Sequence, residues 1–122
     1  MLHRNFLTQP LEPLEGCHEG VGVLRHLEVL KGEDFQADLR FLNYTVLPPG
    51  TSIGLHRHGN DQELYIILSG RGELEADGKV YPAQPGDVFV NEPYGTHGLR
   101  NTGREDLAVL VLESPCPVGE AK

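Results

Sequence analysis

The sequence predicts an all-β fold, a sandwich or barrel of about nine short strands. Three observations carry this reading. Glycine and proline supply 15 and 9 of the 122 residues, well above their usual combined share of about 12%. They fall at near-even intervals and cut the chain into strand-length segments, the pattern of sandwiches and barrels. No segment holds a 3.6-residue apolar repeat for the roughly 10–12 residues that mark a helix.

The segments follow in order. Val21–Leu30 ends at Lys31-Gly32, and Phe41–Leu47 ends at Pro48-Pro49-Gly50. Ser52–His58 runs into Gly59-Asn60-Asp61, and Glu63–Leu68 into Ser69-Gly70. Glu73–Ala76 and Lys79–Ala83 flank Asp77-Gly78, a dipeptide suited to a two-residue hairpin turn because both positions tolerate positive φ. Asp87–Asn91, Thr96–Asn101 and Leu107–Glu113 complete the set, ending at Pro93-Tyr94-Gly95, Thr102-Gly103 and Ser114-Pro115. The expected organisation is an N-terminal arm over residues 1–20, one barrel domain over 21–113 and a C-terminal tail over 114–122. Leu64–Leu68 and Leu107–Leu112 are apolar on both faces. A half-exposed strand alternates instead, so the arm or a second subunit must cover their outer side. We expect a homodimer.

Charge narrows the function classes. Eighteen acids against ten Lys and Arg give a formal net charge of −8. That disfavours nucleic acid and anionic membranes, which attract basic patches. No apolar run approaches the 18 residues of a membrane span, and the first 16 residues lack the apolar core of a signal peptide. Cys17 and Cys116 lie near opposite ends without zinc-site spacing. They read as two free thiols of a cytoplasmic protein.

One constellation carries chemistry. His56 and His58 sit at i and i+2 in a strand, so both imidazoles leave one face. A tight turn after them is expected to return the chain alongside, setting Glu63 across the pair about 5 Å away. His97 lies on a later strand as a fourth candidate. Three imidazoles and a carboxylate form a nitrogen–oxygen metal site.

The frame around these residues is specific. Gly50, His56, His58, Glu63 and Gly70 resemble the first cupin motif, G(X)5HXH(X)3–4E(X)6G, at every defined position. Gly86, His97 and Asn101 match the second motif, G(X)5PXG(X)2H(X)3N, while Pro93 and Gly95 each stand one position late. The resemblance implies a double-stranded β-helix, or jelly-roll, barrel. It implies His56, His58, Glu63 and His97 as ligands of one divalent transition metal ion: iron, manganese, nickel, cobalt or zinc. It also implies a small-molecule ligand or substrate. The expected function is a metal-dependent enzyme acting on a carboxylic acid, enol or sugar derivative, of dioxygenase, decarboxylase, isomerase or lyase type. The alternative is a binding or sensor protein without turnover, favoured by the lack of an obvious inward base outside the ligand set.

Other residues take lesser roles. Tyr65 shares the inward face of Glu63 at i+2 and is the candidate catalytic residue, a phenol able to donate a proton. Tyr44 and Tyr94 are weaker candidates of the same kind. Arg57, between two ligands, points outward. Asp61 and Gln62 read as solvated turn residues, Asp87 as a turn residue, and Asn101 as a backbone anchor. His3, His18 and His26 lie outside both motifs.

Overall fold

Turn chemistry cuts the chain into ten strands in the computed structural model, which describes residues 1–117. They are β1 Glu12–Glu15, β2 Val23–Lys31, β3 Phe41–Leu47, β4 Ser52–Arg57, β5 Asp61–Ser69, β6 Gly72–Ala76, β7 Lys79–Ala83, β8 Val88–Asn91, β9 Thr96–Arg100 and β10 Leu107–Pro115. Two antiparallel sheets face each other. One has six strands in the order β1-β2-β3-β10-β5-β8, the other four in the order β4-β9-β6-β7. This is the jelly-roll barrel expected from the motifs. Among the described residues no helix is long and apolar enough to cross a membrane.

Local sequence explains the boundaries. The β6–β7 hairpin turns on Asp77 and Gly78, with φ of 49° and 82°, the doubly positive pair that matches strand twist. Pro13 and Pro82 fall in β1 and β7, both edge strands, where a missing N–H breaks no ladder. Gly70 has φ of +83°, and a Cβ there would meet the Asp106 carbonyl oxygen at 2.2 Å. The motif glycine is therefore required by both backbone conformation and space.

Within residues 1–20, Glu12–Glu15 pair with β2, and Cys17–Glu19 form a 3-10 turn packed against β4. The segment before them lies on its own barrel: Arg4 donates to the Val29 carbonyl at 2.6 Å and to Asp34 at 2.8 Å, and Phe6 packs on Tyr44 at 4.6 Å. At the other end Ser114 and Pro115 complete β10, and residues 118–122 of the expected tail lie outside the described residues.

The register sorts the interior into layers. Across β3, β10 and β5, Leu47 stands opposite Leu107, Thr45 opposite Val109 and Val109 opposite Ile67. One row on, Asn43 faces Val111 and Val111 faces Tyr65; the next row holds Phe41, Glu113 and Glu63. The interior thus runs from a dry end, where Leu47, Leu107 and Val109 are fully buried, to a polar end bearing two carboxylates. That gradient positions the site. The outer face of the same strands carries Leu64, Ile66 and Leu68 on β5 and Leu110 and Leu112 on β10, in the phase expected from the sequence.

Candidate metal centre

His56 near the end of β4 and His58 just past it turn to the same inward side, as the i, i+2 spacing of extended chain requires. The expected arrangement of their partners needs correction. β4 is not paired with β5: it lies in the four-stranded sheet beside β9, and His56 stands directly opposite His97. Glu63 reaches the histidines from β5 in the other sheet, across the interior. The turn at Gly59-Asn60 therefore carries the chain between sheets and makes no hairpin. Both edges of β5 are already taken, by β10 and β8, which leaves no edge for β4.

The four donors converge. His56 Nε2 lies 3.1 Å from His58 Nε2, which lies 3.2 Å from His97 Nε2. Glu63 Oε1 is 3.0 Å from His97 Nε2 and 3.4 Å from His58 Nε2. All four donor atoms fall within 4.8 Å of one another. An ion with bonds of about 2.1 Å sets neighbouring donors about 3.0 Å apart at right angles and about 3.4 Å apart at the tetrahedral angle. The residues fit such an ion. Without one, three imidazole lone pairs crowd each other, and only a shared proton relieves them.

Ring orientation is fixed from behind. His56 Nδ1 donates to the Gly54 carbonyl at 2.8 Å, and His58 Nδ1 contacts Asp61 Oδ1 at 2.8 Å. Each contact leaves Nε2 free for the centre. Burial pushes His56 down to about 4. Hydrogen bonding to Glu63, with further help from Asp61, raises His58 to about 9. Burial alone would raise Glu63, but His58 and His97 override it and hold the carboxyl at about 2. The centre is therefore built around an ionised carboxylate.

Asp61 is a second correction. It is no solvated turn residue: β5 already begins there, and i+2 parity with Glu63 turns it inward, where it is only 8% exposed. Arg40 Nη1 binds it at 2.8 Å and reaches Glu113 at 3.5 Å. Glu113, opposite Glu63 in the register, lies 3.6 Å from His58 Nδ1, and its carboxyl is raised by burial and by Asp61 and Glu63. Asp61→Ala should weaken metal affinity about 10–100-fold, the usual cost of losing the group that orients a ligand histidine, and Asp61→Asn, which keeps an acceptor, should recover most of it. Chelator competition checks this; equal affinity in wild type and Asp61→Ala would show that the contact does not orient the ring.

His18, set aside by the motifs, stacks on His56 with centroids 3.7 Å apart and planes 9° from parallel. Close backbone approach brings it there: a Cβ on Gly54 would meet the His18 carbonyl oxygen at 2.0 Å. Tyr65 is fully buried, its ring edge-on to His97 at 5.1 Å and 88°. Burial and the charge of Glu63 push its phenol up, so it stays protonated. Tyr44 points outward under Phe6, and Tyr94 is exposed with φ of 61°. Arg57 points outward and donates to the Tyr94 carbonyl at 3.1 Å. Gln62 alternates to the outer side of β5. Asn101 pins two turns by donating to the Leu47 and Glu105 carbonyls at 2.8 and 2.7 Å. Asp87 accepts from the Gln84 amide at 3.0 Å within its turn.

A cavity of about 70 Å³ opens beside Glu63 and Tyr65. Its polar lining comes from Cys17, His18, His26, Asn43 and Thr45. Burial keeps the two histidines below the usual imidazole range. The structure thus supplies inward imidazoles that the motifs do not signal. His26 Nδ1 and Thr45 Oγ1 pair at 2.9 Å. Asn43 Oδ1 is buried without a hydrogen-bond partner among the described residues, an arrangement that costs about 1–3 kcal/mol. A larger surface depression of about 350 Å³, between Gln62, Glu92 and Cys116, holds none of the four donors. Chemistry, not size, locates the site.

Comparison with known proteins agrees with this geometry. A family profile described as "Cupin domain" matches residues 43–113. The "Oxalate-binding protein" of Thermotoga maritima is 34% identical over 83% of this chain and 84% of its own length. A crystal structure described as a predicted oxalate decarboxylase, also from Thermotoga maritima, superposes with a TM-score of 0.89 at 31% identity, covering 94% of this chain and 99% of the other. A "5-nitrosalicylic acid 1,2-dioxygenase" from Bradyrhizobium is 36% identical over 59% of this chain, which spans only 34% of that protein.

Proposed function

Because the chain belongs to the cupin-domain family, we propose that it holds one divalent transition metal on His56, His58, Glu63 and His97 and binds a small oxygen-rich acid there as substrate. The observation that carries this reading is the convergence of four donors beside a small polar cavity. Iron, manganese, nickel, cobalt and zinc all suit a nitrogen–oxygen donor set. When bound, the ion supplies Lewis-acid polarisation at coordination positions the protein leaves open.

The chain's own residues set the ligand class. A divalent ion bound by one carboxylate keeps net positive charge, and among the described residues no Lys or Arg lines the cavity. An anion is therefore held from the metal side. At about 70 Å³ the cavity is small. A small acid is the ligand class we favour, in keeping with the names of the Thermotoga maritima protein and structure. Tyr65, buried edge-on to His97 with its phenol held protonated, is our candidate proton donor. Binding without turnover is the second reading. It is favoured by one observation: among the described residues the only carboxylate in the cavity wall is Glu63, which this reading commits to the metal. Unpaired Cys17 and Cys116 support a cytoplasmic setting, and the apolar outer face of the large sheet, with Leu68, Val88 and Val90 exposed, supports a homodimer.

Metal-free protein reloaded separately with each of the five ions, then titrated calorimetrically with oxalate, tests the proposal. Binding is expected only in loaded protein and should vanish with a chelator. Failure of every loaded form to bind oxalate, glycerate or acetate overturns it. Carbon dioxide release and oxygen uptake on the same samples separate turnover from binding. Tyr65→Phe should keep full metal content and lower turnover about 100-fold, the lower end for a lost proton donor. Unchanged turnover would remove the phenol from the chemistry.

A further inference from the structure

We propose that Asn43 binds the part of the ligand farthest from the metal and so decides which small acid the centre accepts. This rests on the reading that the centre takes small acids. Asn43 and Thr45 share the inner face of β3, a polar strip on the wall of the cavity. Thr45 has a partner in His26, at 2.9 Å. Asn43 does not: its Oδ1 is buried and unpaired among the described residues, and the residue lines the cavity that Glu63 and Tyr65 also line.

The register gives the spacing. Asn43 stands opposite Val111, and Val111 opposite Tyr65. Asn43 and Tyr65 are therefore two strands apart in one row, about 10 Å between backbones, with the short Val111 side chain between them. A small molecule resting over Val111 and anchored beyond Tyr65 at the metal presents its far end to Asn43. The primary amide offers one acceptor and two donors, so it takes either a carboxylate oxygen or a hydroxyl. Thr45 and the neutral His26 add no charge at that wall. It selects for a far oxygen and against a far methyl, because an apolar end leaves the buried amide oxygen and its donors unpaired.

Calorimetric titration of Mn²⁺-loaded wild type and Asn43→Leu with oxalate, glycerate and acetate tests this. Acetate chelating through its carboxylate has only a methyl at the far end. Oxalate has a far carboxylate oxygen, and glycerate a far hydroxyl. The variant should hold Mn²⁺ and acetate as wild type does. It should lose about 10–100-fold in preference for oxalate, glycerate or both over acetate, the affected ligand identifying the oxygen type. Asn43→Ala should repeat the result if leucine crowds the cavity. Unchanged preference in both variants, or equal loss for all three ligands, overturns the role of Asn43. Wild type that holds Mn²⁺ yet binds none of the three overturns the underlying reading instead.

Discussion

His56→Ala/His58→Ala protein is expected to emerge from metal reconstitution without stoichiometric metal. The variant removes two of four converging donors and leaves His97 and Glu63 alone at 3.0 Å. Losing a group behind a ligand costs about 10–100-fold in affinity, and losing a ligand costs at least as much, so two losses together should exceed about 100-fold. The effect also reads out as stability. An ion present at 100 times its dissociation constant stabilises the fold by about 2.7 kcal/mol. For a chain of 122 residues that amounts to about 10 °C in Tm. Metal should therefore raise the Tm of wild type by that amount and leave the double variant unmoved. Full stoichiometric metal in the variant, measured by elemental analysis, would refute the ligand assignment.

The reason this prediction is sharp is that the donors were legible in the chain and their neighbours were not. The motif spacing located His56, His58, Glu63 and His97 without knowledge of the sheet. Their mutual arrangement depends on topology, and there local reasoning misled: a four-residue gap after His58 looks like a hairpin but crosses between sheets. Two of the supporting residues carried a usable signal. Asp61 has the parity of Glu63, and Glu113 has the parity of Val111, so period 2 already turns both inward once strand lengths are known. His18 carried none. Its place on His56 follows from Gly20 and Gly54 letting two backbones touch, a contact between segments more than thirty positions apart. Asn43 sat in a strand of mixed polarity, where an unpaired buried amide becomes visible only once its surroundings are built.

The apolar outer face was legible for the same period-2 reason, and it leads to the second large effect. On that face the register aligns Tyr44, Leu110, Ile66 and Val88 in one row and Leu42, Leu112, Leu64 and Val90 in the next. The N-terminal segment covers only the Tyr44 side, through Phe6. Val88 and Val90 remain 56% and 49% exposed, and Leu68 37%. Contiguous apolar rows of this kind mark surfaces that a partner covers. A second copy placing the same face against it buries both at once, the self-complementary contact of a twofold dimer. Light scattering at micromolar concentration should give twice the 13.4 kDa chain mass. Ile66, flanked by Leu110 and Val88, sits inside the patch. Ile66→Asp would bury an unpaired carboxylate there at a cost of about 3 kcal/mol or more, a hundredfold or more in dissociation constant, and should shift the protein to a single chain. Its metal content should stay intact, because Ile66 faces away from the donors. A wild-type mass of one chain would defeat the dimer. The outer rows would then be left as exposed apolar surface, and the arm as a cover for its own barrel alone.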